Sequence, residues 1–301
     1  MINILIPDIG CQNGINALNA LKGYKIVSGD LTDMSAGLWM TKRKYLFEKA
    51  EHHAFLPAIM QVCKHEKINV ILPVHSNAIL VLSEFQDKFR EIGLNMCLSK
   101  PETYLITEDK VSCGNILKKL GFNVPKVYDK EVKFPAIIKP RTGSGSKGTH
   151  KLENQKDLDY YKKEGSFISE FIEGQEYVVD GVSDLKGKVI ACLPRIRIEA
   201  KGGICTKAQT IKDKDLEQTA KKIAETLKMV GAWNIQFIKN KKRIVVIDVN
   251  NRLPSGGTPL DVASGLNIPD IMVRLALGEK IKKPKLIYGK KMLRYWNAKI
   301  I

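Results

Sequence analysis

The sequence predicts a mixed α/β protein that begins with a parallel α/β unit. Two observations support this fold class. Short apolar strands alternate with helical patterns over the first hundred residues, and segments rich in strands and glycine follow. With 301 residues, the chain is long enough to bury two or three compact cores. Its apolar fraction of 44% and charged fraction of 27% are ordinary for a globular protein.

Three short apolar runs in the first unit predict strands, at residues 2–6, 25–27 and 70–72. Helical spacing of apolar residues lies between and after these runs. The predicted helices cover residues 15–21, 56–64 and 78–89. Strands that alternate with helices predict a parallel sheet covered on both faces.

A second unit is expected from residue 99 and a third from residue 167, which divides the chain into units 1–98, 99–166 and 167–301. The second unit contains a helix closed by Gly121, a strand at 134–138 and a glycine-rich loop. The third unit is dominated by strands. They are predicted at residues 167–168, 177–181, 189–193, 233–238 and 243–249, with one helix at 216–229.

Charge, hydropathy and cysteine content argue against a nucleic-acid-binding protein, a membrane-spanning protein and a disulfide-rich protein. The net charge is +17, but the lysines are scattered and lack the interleaved aromatic residues of a nucleic-acid stacking surface. Nucleic acid is therefore disfavoured as the main ligand. No run of about 18 apolar residues predicts a membrane helix. The six cysteines form no Cys-x-x-Cys pair, which indicates reduced thiols in a cytoplasmic protein.

A loop with three glycines follows the predicted strand that ends at Lys139. Glycines allow the backbone to approach a phosphate, and successive N–H groups form an anion-binding nest. Lys139 adds a positive charge at the same end. The segment lacks the order of a Walker A motif, and a flexible surface hairpin is the alternative interpretation.

Two carboxylates, Glu170 and Glu176, flank the turn before the next predicted strand. They are candidate ligands for the polar groups of a small molecule. The alternative is a turn with solvated acidic side chains.

The strongest pattern is a pair of neighbouring strands with oxygen-bearing side chains. Asp248 and Asn250 are two residues apart and therefore face one side of a strand, while Gln236 lies on the strand before it. Such oxygens suit a hard cation such as Mg²⁺. Arg252 follows, where it can hold a phosphate oxygen or a developing negative charge. The alternative is a strand that ends in a polar turn.

Arg195 and Arg197 alternate on another predicted strand, and Lys207 follows the Gly202-Gly203 turn. Guanidinium groups on one face suit a carboxylate or an acyl phosphate. An exposed edge strand protected by charge is the alternative.

In their order and spacing these segments resemble the ATP-grasp superfamily, and more closely its carbamoyl-phosphate-synthetase-like branch. The resemblance covers nearly the whole chain and begins with a Rossmann-like unit. It includes the Ile-Lys-Pro strand with its glycine loop, the Glu-Phe-Ile-Glu-Gly segment and the Asp-x-Asn-x-Arg strand. It implies two ATP-grasp lobes that enclose ATP.

The resemblance also implies roles for individual residues. The expected metal ligands, for one or two Mg²⁺ ions that Mn²⁺ can replace, are Gln236, Asp248 and Asn250. Many family members have Glu at the position of Asp248, and the shorter side chain of Asp reaches less far toward a second metal. The expected nucleotide-binding residues are Lys110, Lys139, Gly143, Ser144, Gly145, Ser146 and Gly148 at the phosphates, Glu170, Phe171 and Ile172 at adenine, and Glu176 at ribose. The expected catalytic residues are Arg252, Arg195, Arg197 and Lys207.

The implied activity is ADP-forming ligation of a carboxylate to an amine, through an acyl phosphate. The substrates would be a small metabolite, an amino acid or a cell-surface sugar precursor. Two alternatives remain open: an ATP-grasp enzyme with another acceptor such as bicarbonate, and a catalytically silent or nucleic-acid-binding module that keeps the fold. The resemblance is compatible with a homodimer.

Overall fold

A computed structural model describes residues 1–143, 145–295 and 297–301 of the chain. The predicted phosphate-loop residue Ser144 lies outside the described residues. Strands are arranged in three sheets, one parallel and two antiparallel, which confirms the predicted fold class. The division of the chain at residues 98 and 166 stays a prediction.

The first sheet is parallel and has four strands in the order β3-β2-β1-β4. The strands are β1 (Asn3–Ile6), β2 (Lys25–Asp30), β3 (Arg43–Leu46) and β4 (Val70–Ile71). The sequence pattern missed β3 because this edge strand consists mostly of exposed residues and has no apolar run. The helices of this part of the chain are α1 (Gln12–Ala20), α2 (Phe55–His65), α3 (Ser76–Glu84), α4 (Gln86–Glu91), α5 (Pro101–Glu108) and α6 (Lys110–Lys119). One predicted helix, 78–89, is thus divided into α3 and α4.

The apolar run of β1 is buried on both faces of the parallel sheet. Ile4 and Ile6 face one core, and Leu5 faces another that includes residues of α2 and α3. The first core also contains Ile271 of a helix near the end of the chain. Because successive strand residues point to opposite sides, β1 joins two layers of the molecule.

The second sheet is antiparallel, in the order β5-β8-β6-β7. Its strands are β5 (Val127–Tyr128), β6 (Ala136–Pro140), β7 (His150–Leu152) and β8 (Ser166–Glu170), and it carries helix α7 (Gln155–Tyr161). The expected boundary between residues 166 and 167 falls within β8. Because β8 pairs with β5 and β6, the second sheet extends to Glu170. Its fully buried core is small and includes Ile138 and Leu152.

The third sheet is antiparallel and has six strands in the order β13-β12-β9-β10-β11-β14. These are β9 (Gln175–Ser183), β10 (Val189–Lys201), β11 (Ile204–Thr210), β12 (Gly231–Lys239), β13 (Ile244–Asn250) and β14 (Lys291–Leu293). The remaining helices are α8 (Lys214–Thr226), α9 (Thr258–Ala263) and α10 (Ile268–Ala276).

The two faces of the third sheet have different chemistry. One face packs on α8 through large apolar side chains, among them Trp233, Ile235 and Phe237, which are fully buried. The Trp233 indole N–H donates a hydrogen bond of 2.9 Å to Ser183 Oγ, so the polar group of this buried side chain has a hydrogen-bond partner. Residues between these positions point to the opposite face, where the polar side chains of the sheet collect.

The first and third sheets are held together by polar contacts as well as by the shared core. Asn16 Nδ2 of α1 donates to the carbonyl oxygen of Ser255 at 2.9 Å, and the Tyr24 hydroxyl donates to Asp270 Oδ1 at 2.7 Å. The polar face of the third sheet is thereby fixed relative to the carboxyl ends of β1 and β4.

None of the helices within the described ranges has both the length and the apolarity that a bilayer-spanning segment needs. All six cysteines have free thiols, and four of them are buried.

The half-buried carboxyl of Asp8, two residues after β1, makes the stability of the fold depend on pH. It accepts hydrogen bonds from the backbone N–H groups of Val74 (3.1 Å) and His75 (2.6 Å). Burial raises the pKa of Asp8 to about 7, despite these bonds. Because the folded state holds this proton more tightly than the unfolded state, the free energy of unfolding falls as pH rises from about 4 to about 7.

We therefore expect the substitution Asp8→Asn to raise the melting temperature at pH 8 and to have little effect at pH 4. A difference on the order of 1 kcal/mol shifts the melting temperature by about 2–4 °C in chains of roughly 150–250 residues, and by about 2 °C in a chain of this length. Thermal unfolding of the two proteins at both pH values measures this. Asp33→Asn, at an exposed position, is the control. Parallel pH profiles for wild type and Asp8→Asn would contradict the prediction.

Candidate functional site

A cavity of about 300 Å³ lies between the second sheet and the polar face of the third sheet. One wall is formed by Lys139 of β6 and by the described part of the glycine loop. The opposite wall contains Gln236 of β12 and Asp248 of β13. The segment that joins the two sheets, with Glu170 and Glu176 at its ends, closes one side.

The three predicted metal ligands come together as the sequence pattern requires. In the antiparallel pairing of β12 with β13, Gln236 lies directly opposite Asp248, and Asn234 lies opposite Asn250. Asn250 Nδ2 donates to Asp248 Oδ2 at 2.9 Å, and Arg252 Nη2 donates to Asn250 Oδ1 at 3.1 Å. Asp248 and Gln236 line the cavity, whereas Asn250 and Arg252 lie beside Asp248 just outside its lining.

A β-bulge next to these ligands positions Lys139. The register of β12 and β13 shifts between Gln236 and Phe237, which leaves Ile247 without a direct partner residue. Lys139 Nζ donates a 3.0 Å hydrogen bond to the carbonyl oxygen of Ile247. Ile247 lines the cavity at this bulge, whereas Val249, two residues further along β13, is buried in the core.

Lys139 is largely desolvated, and this burial lowers the pKa of its ammonium group although the negative charge of Asp248 partly opposes the shift. A buried cation without a close carboxylate partner gains from any anion that enters the cavity. The second lysine of the cavity, Lys110, lies 4.0 Å from Asp248 Oδ1 and donates a 2.7 Å hydrogen bond to the carbonyl oxygen of Gly143.

The position of Lys110 follows from the start of α6. The Asp109 side chain caps this helix by accepting hydrogen bonds from the N–H groups of Val111 and Ser112, both at 3.0 Å. Its second carboxylate oxygen pairs with Arg141 Nη2 at 2.6 Å. One side chain thus fixes both the helix that carries Lys110 and the strand end that leads into the glycine loop.

The glycine loop is only partly described. Gly143, Gly145 and Ser146 line the cavity, and all three have a positive φ angle. Gly148 does not line the cavity, and packs instead next to the ring of Pro140, where an added Cβ would lie 3.1 Å from Cγ.

The predicted adenine-binding residues lie at the hinge between the two sheets. Phe171 and Ile172 line the cavity, and Lys151 Nζ lies 4.5 Å from the centre of the Phe171 ring. The Glu170 carboxylate accepts hydrogen bonds from Arg243 Nη2 at 2.5 Å and from the Lys126 N–H at 3.3 Å. Glu170 therefore links β8 to the hairpin between β12 and β13.

The three basic residues expected to form one anion-binding face are not brought together. Arg195 is buried and pairs with the carboxylate of Asp180 at 2.5 Å. Lys207 points away from the cavity and pairs with Glu199 at 2.8 Å on the exposed side of the hairpin. Arg197 alone lines the cavity. The alternation of Arg195 and Arg197 was visible in the sequence, but the acidic partners come from other strands.

Sequence patterns missed Asn234, Asp180 and Asp261. Asn234 and Asp180 lie opposite each other on β12 and β9, and Asn250 is the next residue in the same row across the sheet. Asn234 precedes Gln236 by two residues, so its facing could have been inferred from alternation. Asp180 and Asp261 gave no such signal, because the burial that makes them unusual arises from chain segments distant in sequence.

Comparisons with known proteins identify the family. Residues 107–256 match the ATP-grasp domain family, and residues 4–97 match the PylC-like N-terminal domain family. The chain belongs to the ATP-grasp superfamily. This confirms the resemblance inferred from the motifs, and the relatives named carbamoyl phosphate synthase large chain agree with the branch it indicated.

Two curated relatives of this ATP-grasp chain are named as two different enzymes. The carbamoyl phosphate synthase large chain of Clostridium perfringens (strain 13 / Type A) is 29% identical over 246 residues, which are 73% of this chain and 23% of that protein. The 3-methyl-D-ornithine–L-lysine ligase of Methanosarcina barkeri is 25% identical over 211 residues, 69% of this chain and 56% of that protein. The chain thus spans about a quarter of the first relative and just over half of the second.

The fold of this ATP-grasp chain is also found in solved structures. Biotin carboxylase from Campylobacter jejuni, as its beta-gamma-ATP complex, superposes with a TM-score of 0.73 at 19% identity, over 94% of this chain and 73% of that one. At this level of identity the match shows a shared fold.

The donor set of this ATP-grasp chain fits Mg²⁺. Gln236, Asp248 and Asn250 offer carboxylate and amide oxygens on one sheet face, with a single negative charge. In the described part of the chain, no cluster of three His, Cys, Asp or Glu side chains forms a metal site made by the protein alone. Few protein ligands are typical of Mg²⁺, which completes its shell with water and phosphate oxygens.

The buried Arg195–Asp180 pair gives a stability prediction for the polar face of the ATP-grasp sheet. Substitution Asp180→Ala removes both carboxylate hydrogen bonds of the buried Arg195 guanidinium, which costs about 3–5 kcal/mol. Denaturant unfolding measures the loss. Lys207→Ala breaks the exposed pair with Glu199 and is expected to leave the unfolding midpoint unchanged. Equal midpoints for Asp180→Ala and wild type would refute the prediction.

Proposed function

We propose that this chain is an ATP- and Mg²⁺-dependent ligase of the cytoplasm, in which a carboxylate is activated as an acyl phosphate and then attacked by an amine. The observation that supports this most strongly is the grouping of Gln236, Asp248 and Asn250 on one face of two paired strands, where Gln236 and Asp248 line the same cavity as Lys110 and Lys139. Oxygen donors and lysines in this arrangement suit a metal-bound triphosphate.

In this proposal the hinge and the two lysines hold the nucleotide. Phe171 and Ile172 frame the adenine, and Glu176 accepts hydrogen bonds from ribose hydroxyls. Lys139 and Lys110 pair with phosphate oxygens. The desolvation of Lys139 strengthens its attraction to phosphate, because few water molecules compete for the ammonium group.

In the first step an oxygen of the substrate carboxylate forms a bond to the γ-phosphorus, and the bond to the bridging oxygen of ADP breaks. Gln236, Asp248 and Asn250 would hold Mg²⁺, or Mn²⁺ in its place, and the bound ion would supply neutralisation of the phosphate charge. Arg252, fixed by its hydrogen bond to Asn250 Oδ1, stabilises the transferring phosphoryl group. The protein acts by positioning and by charge.

In the second step the amine nitrogen attacks the carbonyl carbon, phosphate leaves with the electron pair of the C–O bond, and the amine releases a proton. The acceptor pocket is proposed next to residues 253–259, where Gly256 and Gly257 pack tightly against Cys205 and the Arg195–Asp180 pair. Arg195 thus supports the floor of this pocket and does not bind the acceptor itself.

The name of the Methanosarcina barkeri relative, a 3-methyl-D-ornithine–L-lysine ligase, supports a carboxylate–amine pair of amino-acid type. The substrate class we propose is therefore a small amino acid or a related metabolite.

A screen for ADP release tests the proposed reaction. The purified chain with Mg–ATP is incubated with amino acids and other carboxylic acids, each with and without an amine. We expect ADP release that requires both partners, and an amide product that mass spectrometry detects. The absence of ATP binding in calorimetry would refute the nucleotide site.

Substitution Asn250→Ala tests the metal site. It removes one oxygen donor and the acceptor that orients Arg252, so we expect kcat to fall by about 100-fold or more. The matched control is Lys241→Ala, at an exposed position in the turn of the same hairpin, which should retain wild-type activity. Wild-type turnover in Asn250→Ala would exclude this site as the metal centre.

A second candidate function is activation of bicarbonate, which the carbamoyl phosphate synthase relatives favour. It predicts ADP release that depends on bicarbonate in the absence of any other carboxylic acid. The same screen separates the two functions when it is run in buffer depleted of carbon dioxide.

A further inference from the structure

The carboxyl group of Asp261 is fully buried and takes no part in the proposed reaction. Asp261 belongs to α9, and its side chain is 0% exposed. Within the part of the chain that the structure describes, neither of its oxygens accepts a hydrogen bond, and it forms no ion pair. An ionised carboxylate at such a position loses its hydration without compensation, so the group requires either a proton or a further partner.

A second carboxyl group lies next to it. Asp180 of β9 is also 0% exposed, and its oxygens accept hydrogen bonds from Arg195 Nε at 2.5 Å and from Arg195 Nη2 at 3.3 Å. The two aspartates lie within hydrogen-bonding reach of each other. Between two carboxyl oxygens a hydrogen bond forms only when one of them carries a proton.

One guanidinium faces both acids. Among the described residues, Arg195 pairs with Asp180 and forms no ion pair with Asp261. The Cys205 thiol of β11 also faces Arg195, and burial raises the pKa of this thiol. Arg294, after β14, donates to the carbonyl oxygen of Cys205 at 3.3 Å. Burial, and then the negative charge of Asp180, raise the pKa of Asp261 well above its ordinary value, although Arg195 opposes this shift.

The other elements that pack on α9 bring no further charge to Asp261 within the described ranges. Helix α1 has no titratable side chain. The charged side chains of α10, β11 and β14 bond to other partners or are exposed to solvent: Asp270, Arg274, Lys207 and Lys291. A proton on Asp261 supplies the missing hydrogen bond and also leaves the cluster of Asp180, Arg195 and Asp261 without net charge.

This cluster forms the floor beneath residues 253–259, next to which the acceptor pocket is proposed. A Cβ added to Gly257 would overlap Asp180 Oδ2 and would lie 2.9 Å from Arg195 Nε. The Asp261 N–H donates to the carbonyl oxygen of Gly257 at 3.0 Å, so the acid follows the glycine by one helical turn. An ionised Asp261 would place a net negative charge under a pocket that receives a carboxylate or an acyl phosphate, and would repel it.

We propose that Asp261 is a positioning residue that remains a neutral carboxylic acid at physiological pH and donates a hydrogen bond to Asp180. This bond connects α9 to β9 and holds the Arg195–Asp180 pair under the backbone of Gly257, while the floor stays uncharged. The link to the acceptor pocket rests on the proposed function, whereas the proton itself does not.

Infrared spectroscopy of the purified chain at pH 7 tests the proton directly. A protonated carboxyl group has a C=O stretching band apart from the carboxylate bands, and this band moves to lower frequency in heavy water. The spectra are recorded in the Asp8→Asn background, because the pKa of Asp8 is itself raised to about 7. We expect this band to be present and to disappear when Asp261→Asn is added. Asp33→Asn, at an exposed position, is the control and should retain the band.

The pH dependence of unfolding gives a second readout. When the folded state holds a proton more tightly than the unfolded state, stability falls as the pH rises from the unfolded toward the folded pKa. In Asp261→Asn an amide N–H replaces the O–H as donor and cannot ionise. We therefore expect the unfolding equilibrium constant of the wild-type chain, relative to that of Asp261→Asn, to rise about tenfold for each pH unit between pH 5 and pH 7. Asp261→Ala, which has no donor, should be less stable than Asp261→Asn throughout this range.

Two outcomes overturn the proposal. A spectrum without a carboxylic acid band shows that Asp261 is ionised and that an internal water molecule or cation is its partner. Parallel pH profiles for wild type and Asp261→Asn show the same. If Asp261→Asn does not fold, the spectrum of the Asp8→Asn protein alone decides, because exposed carboxyl groups are ionised at pH 7. None of these measurements uses a nucleotide or an acceptor, so they are independent of the ligase reaction, which the screen for ADP release tests.

Discussion

The pairing of β12 with β13 is the constraint on which the site depends. The register places Gln236 opposite Asp248 and Asn234 opposite Asn250, while Ile235 and Phe237 face the core under α8. A shift by one residue would turn the apolar side chains to the cavity and the oxygen ligands into the core. Burial of the apolar face therefore fixes the arrangement of the polar face.

The polar face is held by side chains that neutralise one another. Asp180 pairs with the buried Arg195, Glu176 with Arg197, and Lys110 lies near Asp248. Burial raises the pKa of Asp261, which lies near the Arg195–Asp180 pair. Among the described residues, Lys139 bonds to a carbonyl oxygen and Arg252 to the amide oxygen of Asn250, so these two cations are paired with neutral groups. An anion that enters the cavity would thus stabilise the ammonium group of Lys139, in agreement with a phosphate at this position.

The architecture also explains why the second sheet is suited to movement. Its fully buried core contains only a few residues, whereas the first and third sheets share a large core through β1 and α10. The second sheet contacts the rest of the molecule through individual polar links, such as Lys139 to Ile247 and Glu170 to Arg243. A layer with few apolar anchors can change position at low energetic cost.

The sequence alone predicted the fold class and the family, and it placed the candidate oxygen ligands on one strand face, because alternation along a strand and glycine-rich turns are local properties. It did not reveal the edge strand β3, the pairing of β8 with the second sheet, or the bulge at Ile247. Only the tertiary structure showed which partners Arg195, Arg197 and Lys207 have and which of them lines the cavity. Their partners Asp180, Glu176 and Glu199 lie on other strands or across a bulge, and burial and charge pairing depend on contacts that no local pattern contains.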